Sequence, residues 1–142
     1  MADTGCVSGK LRLIDLFAGA GGLTLGFVDE RFGGGFQCVF GVDKDAAAVK
    51  THNRAFGDHG ICVDIEDWLK LDPEIPECDV VVGGPPCQGF SLLNKKRASD
   101  VRRSLWEPYM DVVERSRAGV FVIENVPGLY GSREFDAIVQ CA

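Results

Sequence analysis

The sequence predicts an α/β fold, a doubly wound, Rossmann-like parallel sheet. Short apolar runs of strand length alternate with helix-like segments, the order that builds a parallel sheet covered on both faces and joined by right-handed crossovers. A glycine-rich turn, Ala18-Gly19-Ala20-Gly21-Gly22, follows the first run, and an acid, Asp43, stands 21 residues beyond Gly22 at the end of the second. In such sheets ligands bind at the carboxyl ends of the strands, where strand order reverses. That point is expected between strands one and four, so the glycine turn and whatever follows strand four should face one crevice.

Each element has its own signal. Residues 1–10 are small and polar and read as a flexible tail. Residues 11–17 read as a buried strand, followed by the glycine loop and a helix over 23–30 that Gly33-Gly34-Gly35 stops. Residues 37–42 make the second strand and the alanine-rich stretch 44–55 the second helix. A short third strand covers 61–63, a three-valine fourth strand 80–82, a helix 104–115 and a fifth strand 120–123. The last ten residues begin another helix.

At 142 residues, with 46% hydrophobic and 25% charged residues, the chain is long enough for one core. Its net charge of −6 has the wrong sign for coating nucleic acid non-specifically, so any such contact must be local. No run of 18 apolar residues and no charged start followed by an apolar stretch occurs, and a cytoplasmic location is expected. The six cysteines include no Cys-x-x-Cys pair, which argues against zinc; Cys38, Cys62 and Cys78, in or beside apolar runs, read as small hydrophobes. His52 and His59 read as surface or loop residues without partners at metal-ligand spacing. No metal site is expected.

Two strand ends carry chemistry. Val80-Val81-Val82 leads into Gly83-Gly84-Pro85-Pro86-Cys87, where the prolines fix φ and supply no N–H, presenting the Cys87 thiol at a rigid turn. Val120–Ile123 leads into Glu124-Asn125-Val126-Pro127, presenting a carboxylic acid; Asn125 reads as orienting its turn through the backbone. A nucleophile and an acid are thus delivered together. The glycine loop and Asp43 signal a nucleoside cofactor whose ribose hydroxyls a carboxylate would accept. Thr24 breaks Gly-x-Gly-x-x-Gly, and these residues alone leave NAD and S-adenosylmethionine both open.

Three blocks, Phe17-Ala18-Gly19-Ala20-Gly21-Gly22, Pro85-Pro86-Cys87-Gln88-Gly89-Phe90-Ser91 and Glu124-Asn125-Val126, in this order and spacing resemble the DNA cytosine-5 methyltransferases over residues 11–130. The resemblance implies S-adenosyl-L-methionine as cofactor and double-stranded DNA as partner, in a bacterial or phage restriction-modification setting, with the protein DNA-associated. It implies Cys87 as nucleophile and Glu124 as the acid at ring N3. Phe17 would pack on the adenine, Gly19 and Gly21 line the methionine moiety with Gly22 beside them in the cofactor site, Asp43 hold the ribose, and Asp64 reach the adenine amino group. Lys44, Ile65 and Pro85 complete the cofactor site. Asp43 stands where the family usually has Glu, and Lys44 where it has an apolar or aromatic residue.

Gln88 and Ser91 lie in the expected mobile loop after the nucleophile, Ser91 as a phosphate contact. The stretch 95–103 holds five cations and one acid, and Lys95, Lys96 and Arg97 read as phosphate-facing while the target base is flipped out. Arg102 resembles a family residue that braces the active site. The family pattern also calls for a Gln-x-Arg-x-Arg element, a target-recognition domain and a last segment completing the cofactor pocket. None stands before Ala142, so residues 11–142 read as a partial catalytic domain, with apolar surface around Ile138 and Val139 left for a second polypeptide to cover. An inactive or cofactor-binding half of a split enzyme, an RNA cytosine-5 methyltransferase and a nicotinamide oxidoreductase stand as alternatives.

Overall fold

The computed structural model describes residues 9–86 and 105–142. Among these, β1 (Leu11–Leu16), β2 (Phe36–Asp43), β3 (Gly60–Cys62), β4 (Val80–Gly83) and β5 (Val120–Ile123) form one sheet ordered β3-β2-β1-β4-β5, every neighbouring pair parallel. The strand order reverses between β1 and β4, as the sequence predicts. Helices α1 (Gly22–Val28), α2 (Ala46–Phe56), α3 (Ile65–Lys70), α4 (Trp106–Arg115) and α5 (Arg133–Cys141) alternate with the strands.

The two-residue period of β1 divides the core. Ile14 and Leu16 point to one face, where Ile65 and Trp68 of α3 and Tyr109 and Val112 of α4 cover them. Leu13 points to the other with Val80 and Val82, under Leu23, Phe27 and Val28 of α1. Leu13, Ile14, Leu16, Val81 and Val82 are completely buried, and removing a side chain of this size from water is worth about 1.5–3 kcal/mol. Asp15 shares the α1 face with Leu13, and it too is completely buried.

Helix boundaries follow local capping. Asp45 starts α2 by accepting from the N–H groups of Ala47 and Ala48, and Gly57 (φ 112°) ends it with its N–H on the Asn53 carbonyl. Lys44 therefore precedes the helix that the sequence was expected to start there. Helix α1 is shorter than expected: Asp29 is extended and caps a turn of 3-10 helix (Glu30–Phe32), which Gly33 closes. Helix α3 is absent from the sequence reading, because six residues are too few for a periodic signal. Asp64 caps it through the Glu66 N–H, and its buried face is Ile65 and Trp68.

Three further expectations are corrected. His52 is not a surface residue: it is 1% exposed, on the inner face of α2 against Thr24. His59 packs edge-on against the same ring at 5.8 Å, brought back by the turn after Gly57. Cys62 is exposed, whereas Cys38 and Cys78 are buried; burial pushes the Cys38 thiol up to about 11, so it stays protonated. Ile138 is buried in α5 at 5% exposure, while Val139 beside it is 58% exposed, so only one side of that helix lacks cover.

Candidate active site

A cavity of about 180 Å³ opens at the carboxyl ends of β1 and β2. Phe17, Val42, Val63 and Ile65 supply apolar walls, Pro86 and Leu105 close the side toward β4, and Asp43, Lys44 and Asp64 supply the polar groups. Whole-ligand pockets usually run to roughly 300–1,000 Å³, so the described walls enclose one end of a ligand of that size. Phe17 reaches the wall from a left-handed turn (φ 57°), uncommon for a non-glycine residue, immediately after β1.

Asp43 ties the glycine turn to the second strand. Its Oδ2 accepts from the Gly19 N–H at 2.8 Å and its Oδ1 from the Asp45 N–H at 2.8 Å. Each oxygen retains a lone pair after these bonds, so the carboxylate can still accept from a ligand. Asp64 uses Oδ1 to cap α3 at 3.0 Å, leaving Oδ2 as acceptor capacity beside the cavity. Flat apolar walls next to two carboxylates suit a nucleoside: the rings stack on the walls and the hydroxyl and amino groups donate to the acids. This donor set fits the nucleoside end of S-adenosylmethionine.

The other expected cofactor residues divide. Gly19 joins the cavity through Asp43, whereas Gly21 and Gly22 stand back from its walls. Gly21 (φ 94°) is required for a different reason: a Cβ there would collide with the Phe56 ring and meet His52 Cδ2 at 3.0 Å. Pro85 is buried, and Pro86 is the proline at the cavity wall.

The ends of β4 and β5 are knitted together. The Glu124 N–H donates to the Gly83 carbonyl at 2.9 Å, and Asn125 Nδ2 donates to the Pro85 carbonyl at 3.1 Å. Asn125 thus acts through the backbone as expected, its Oδ1 accepting from the Val126 N–H of its own turn at 2.9 Å, and it also reaches the facing proline turn. Gly84 lets the Glu124 carboxylate lie over that turn, since a Cβ there would stand 3.3 Å from Oε2. Below, the buried Tyr109 hydroxyl lies 3.0 Å from the carbonyls of both Val81 and Val122, bracing the two strands. Gly83 is fixed by the same approach: a Cβ would strike the Leu16 carbonyl and meet Tyr109 Cε2 at 2.9 Å. The chain leaving this brace runs toward Cys87. Cys87, Gln88, Ser91, Lys95, Lys96, Arg97 and Arg102 themselves lie outside the described residues.

Sequence reasoning missed the polar network under the glycine turn. Helix α1 has no side-chain cap of its own. Instead Asp15 Oδ2, projecting from β1, accepts from the Thr24 N–H at 3.2 Å and the Thr24 hydroxyl at 2.6 Å. Burial pushes the Asp15 carboxyl up to about 6, against the pull of the Thr24 bonds and with a smaller push from Asp43. Thr24 Oγ1 also stands 3.4 Å from His52 Nε2. The available signal was the polar Asp15 inside the run 11–17, two residues from Leu13 and hence on an inner face.

The family model for C-5 cytosine-specific DNA methylases matches residues 11–141. Among curated relatives, the type II methyltransferase M.AgeI of Thalassovita gelatinovora is 38% identical over 84% of this chain and 28% of its own length. M.NgoFVII of Neisseria gonorrhoeae is 36% identical over 94% of the chain and 35% of its length, and M.XorII of Xanthomonas oryzae 42% over 82% and 28%. The chain therefore spans about a third of the length of these relatives. Among solved structures, the S. pombe Dnmt2 methyltransferase superposes with a TM-score of 0.61 at 20% identity, covering 93% of this chain and 39% of that one. The Entamoeba histolytica methyltransferase EhMeth gives 0.62 at 22%, covering 93% and 43%. Both share its Rossmann-like fold.

Proposed function

This chain belongs to the C-5 cytosine-specific DNA methylase family, and on that premise we propose that it forms the cofactor-binding and base-activating part of a restriction-modification enzyme. That enzyme transfers a methyl group from S-adenosylmethionine to carbon-5 of cytosine in double-stranded DNA. The observation that carries this reading is the pair of bonds, Glu124 N–H to Gly83 and Asn125 to Pro85, that fixes the acid beside the turn leading to Cys87 and next to the Asp43 cavity.

In this reading Asp43 accepts from the ribose hydroxyls, Phe17 and Ile65 flank the purine, and Asp64 accepts from its amino group. Gly19, beside Asp43, faces the methionine moiety, Gly21 and Gly22 shape the turn behind it, and Lys44 lines the cavity. When bound, S-adenosylmethionine supplies an electrophilic methyl group. The Cys87 thiolate adds to carbon-6 of the cytosine while Glu124 donates a hydrogen bond or proton to N3, and carbon-5 becomes nucleophilic. After methylation, loss of the carbon-5 proton returns the electron pair to the ring and expels the Cys87 thiolate. Gln88, Ser91, Lys95, Lys96, Arg97 and Arg102 contact the DNA around the flipped base.

Residues 11–142 are then part of a larger catalytic domain, and a further polypeptide segment covers β5 and α5. The 58% exposure of Val120 and of Val139 supports such a cover. The test uses DNA carrying 5-fluorocytosine, the chain, S-adenosylmethionine and a polypeptide supplying the remaining length of a relative. Fluorine cannot leave as a proton does, so an adduct should persist and map by mass to Cys87. An adduct on another residue, or methylation that Cys87→Ser leaves intact, would refute the assignment.

A further inference from the structure

His52 occupies a seat built from four sides. A Cβ on Gly41 would meet its Cε1 at 3.1 Å, a Cβ on Gly60 its Nδ1 at 3.3 Å, and a Cβ on Gly21 its Cδ2 at 3.0 Å. Three glycines, from β2, the start of β3 and the cofactor turn, thus leave the space that one imidazole fills. Thr24 closes the fourth side.

The hydroxyl of Thr24 fixes the direction of the contacts. It has one proton, and the 2.6 Å approach to Asp15 Oδ2 commits that proton to the carboxylate. Toward His52 Nε2, at 3.4 Å, it can only accept, so a hydrogen bond there requires Nε2 to carry the hydrogen. Nδ1 is then the unprotonated nitrogen, on the side of Gly60 and the Asn53 side chain. Burial above all, and the neighbouring His59, push the imidazole below its ordinary value, so it is neutral at pH 7.

We propose that His52 is a positioning residue for the cofactor turn: its Nε2–H tautomer, held through Thr24 by Asp15, fills the space that Gly21, Gly41 and Gly60 leave and so sets the turn in which Gly19 reaches Asp43. The turn is short enough to transmit this. Gly21 N–H bonds the Ala18 carbonyl at 2.9 Å, Ala18 N–H bonds Val42 at 3.0 Å, and Gly19 N–H reaches Asp43 at 2.8 Å. His52 itself is not among the residues lining the cavity.

The proposal rests on the reading that the Asp43 cavity takes S-adenosylmethionine, and the experiment separates the two. Calorimetric titration of S-adenosylmethionine into the chain combined with the polypeptide supplying the remaining length of a relative, at pH 7.5, is compared for wild type, His52→Gln and His52→Phe, with circular dichroism confirming the fold of each. Gln retains an N–H donor and should bind within about threefold of wild type; Phe fills the seat without a donor and should lose about tenfold or more. Should His52→Phe fail to fold, Thr24→Val, isosteric and without the hydroxyl, is expected to show the same loss. Long-range ¹H–¹⁵N spectra should show His52 as the Nε2–H tautomer at pH 7.5. Wild-type affinity in His52→Phe or Thr24→Val, or an Nδ1–H tautomer, would overturn the proposal alone. No binding by the wild-type chain in the presence of that polypeptide would overturn the cofactor reading with it.

Discussion

Asp15→Asn isolates the cost of ionising a carboxyl beneath the glycine turn. In the folded chain burial pushes Asp15 from 3.8 to about 6. Between those values the folded state holds a proton that the unfolded state has released, so stability falls as pH rises through that range and is level above it. At about 1.4 kcal/mol for each pH unit of displacement, the ionised carboxyl costs the fold about 3 kcal/mol above pH 6. Asparagine does not titrate, so this cost vanishes in the variant, while any loss from altered Thr24 bonding is independent of pH. The useful range begins near pH 5, because the chain carries no net charge near pH 4.8. From pH 5 to 7.5 the stability of Asp15→Asn minus that of wild type should grow by about 1.4 kcal/mol. Urea unfolding followed by tryptophan fluorescence measures it, Trp68 being buried in the core. A difference constant to within about 0.5 kcal/mol over that range, or one that shrinks, would refute the reasoning.

Asp43→Ala should weaken S-adenosylmethionine binding by about 1.5–3 kcal/mol, the worth of hydrogen bonds to a charged group, with calorimetry as the measurement; unchanged affinity removes Asp43 from the site. Glu124→Gln should spare that affinity and slow methyl transfer in the complete enzyme by about 10²–10⁴-fold in single-turnover assays, whereas equal losses of binding and rate would mark a structural role. Tyr109→Phe removes the donor shared by the Val81 and Val122 carbonyls. It should lower unfolding stability by about 1–3 kcal/mol, measured by urea denaturation, and a neutral result would mean the brace carries no energy.

The sheet was legible because strands buried on both faces are written as apolar runs: Val80-Val81-Val82 and Leu13-Ile14 leave little other reading. The reversal beside β1 followed from the alternation of elements, and with it the meeting of Phe17, Asp43 and the proline turn. Asp43 could be singled out because strand-end acids at that spacing have few other uses. What stayed hidden depended on contacts between distant segments. The seat of His52 is defined by Gly21, Gly41 and Gly60, which no local pattern links. The role of Asn125 was visible only as a turn former, since its partner Pro85 is 40 residues away. Helix α3 was lost to brevity, although Asp64, read in the sequence as a cofactor residue, marks its start.

The cap that Asp15 lends to α1 also orders the folding of the chain. Seven residues are too few to nucleate a helix in water, and α1 has neither a side-chain cap nor an acid in its first turn. The acceptor for its Thr24 N–H arrives only when β1 is seated between its neighbours, so α1 and the glycine turn form after the central strands pair. Helix α2, with its own Asp45 cap and an alanine-rich first turn, is under no such constraint. A peptide spanning 11–30 would therefore remain a coil where one spanning 43–57 begins to wind. The glycine turn is therefore expected to open together with the sheet that holds its cap, which amide hydrogen exchange would read.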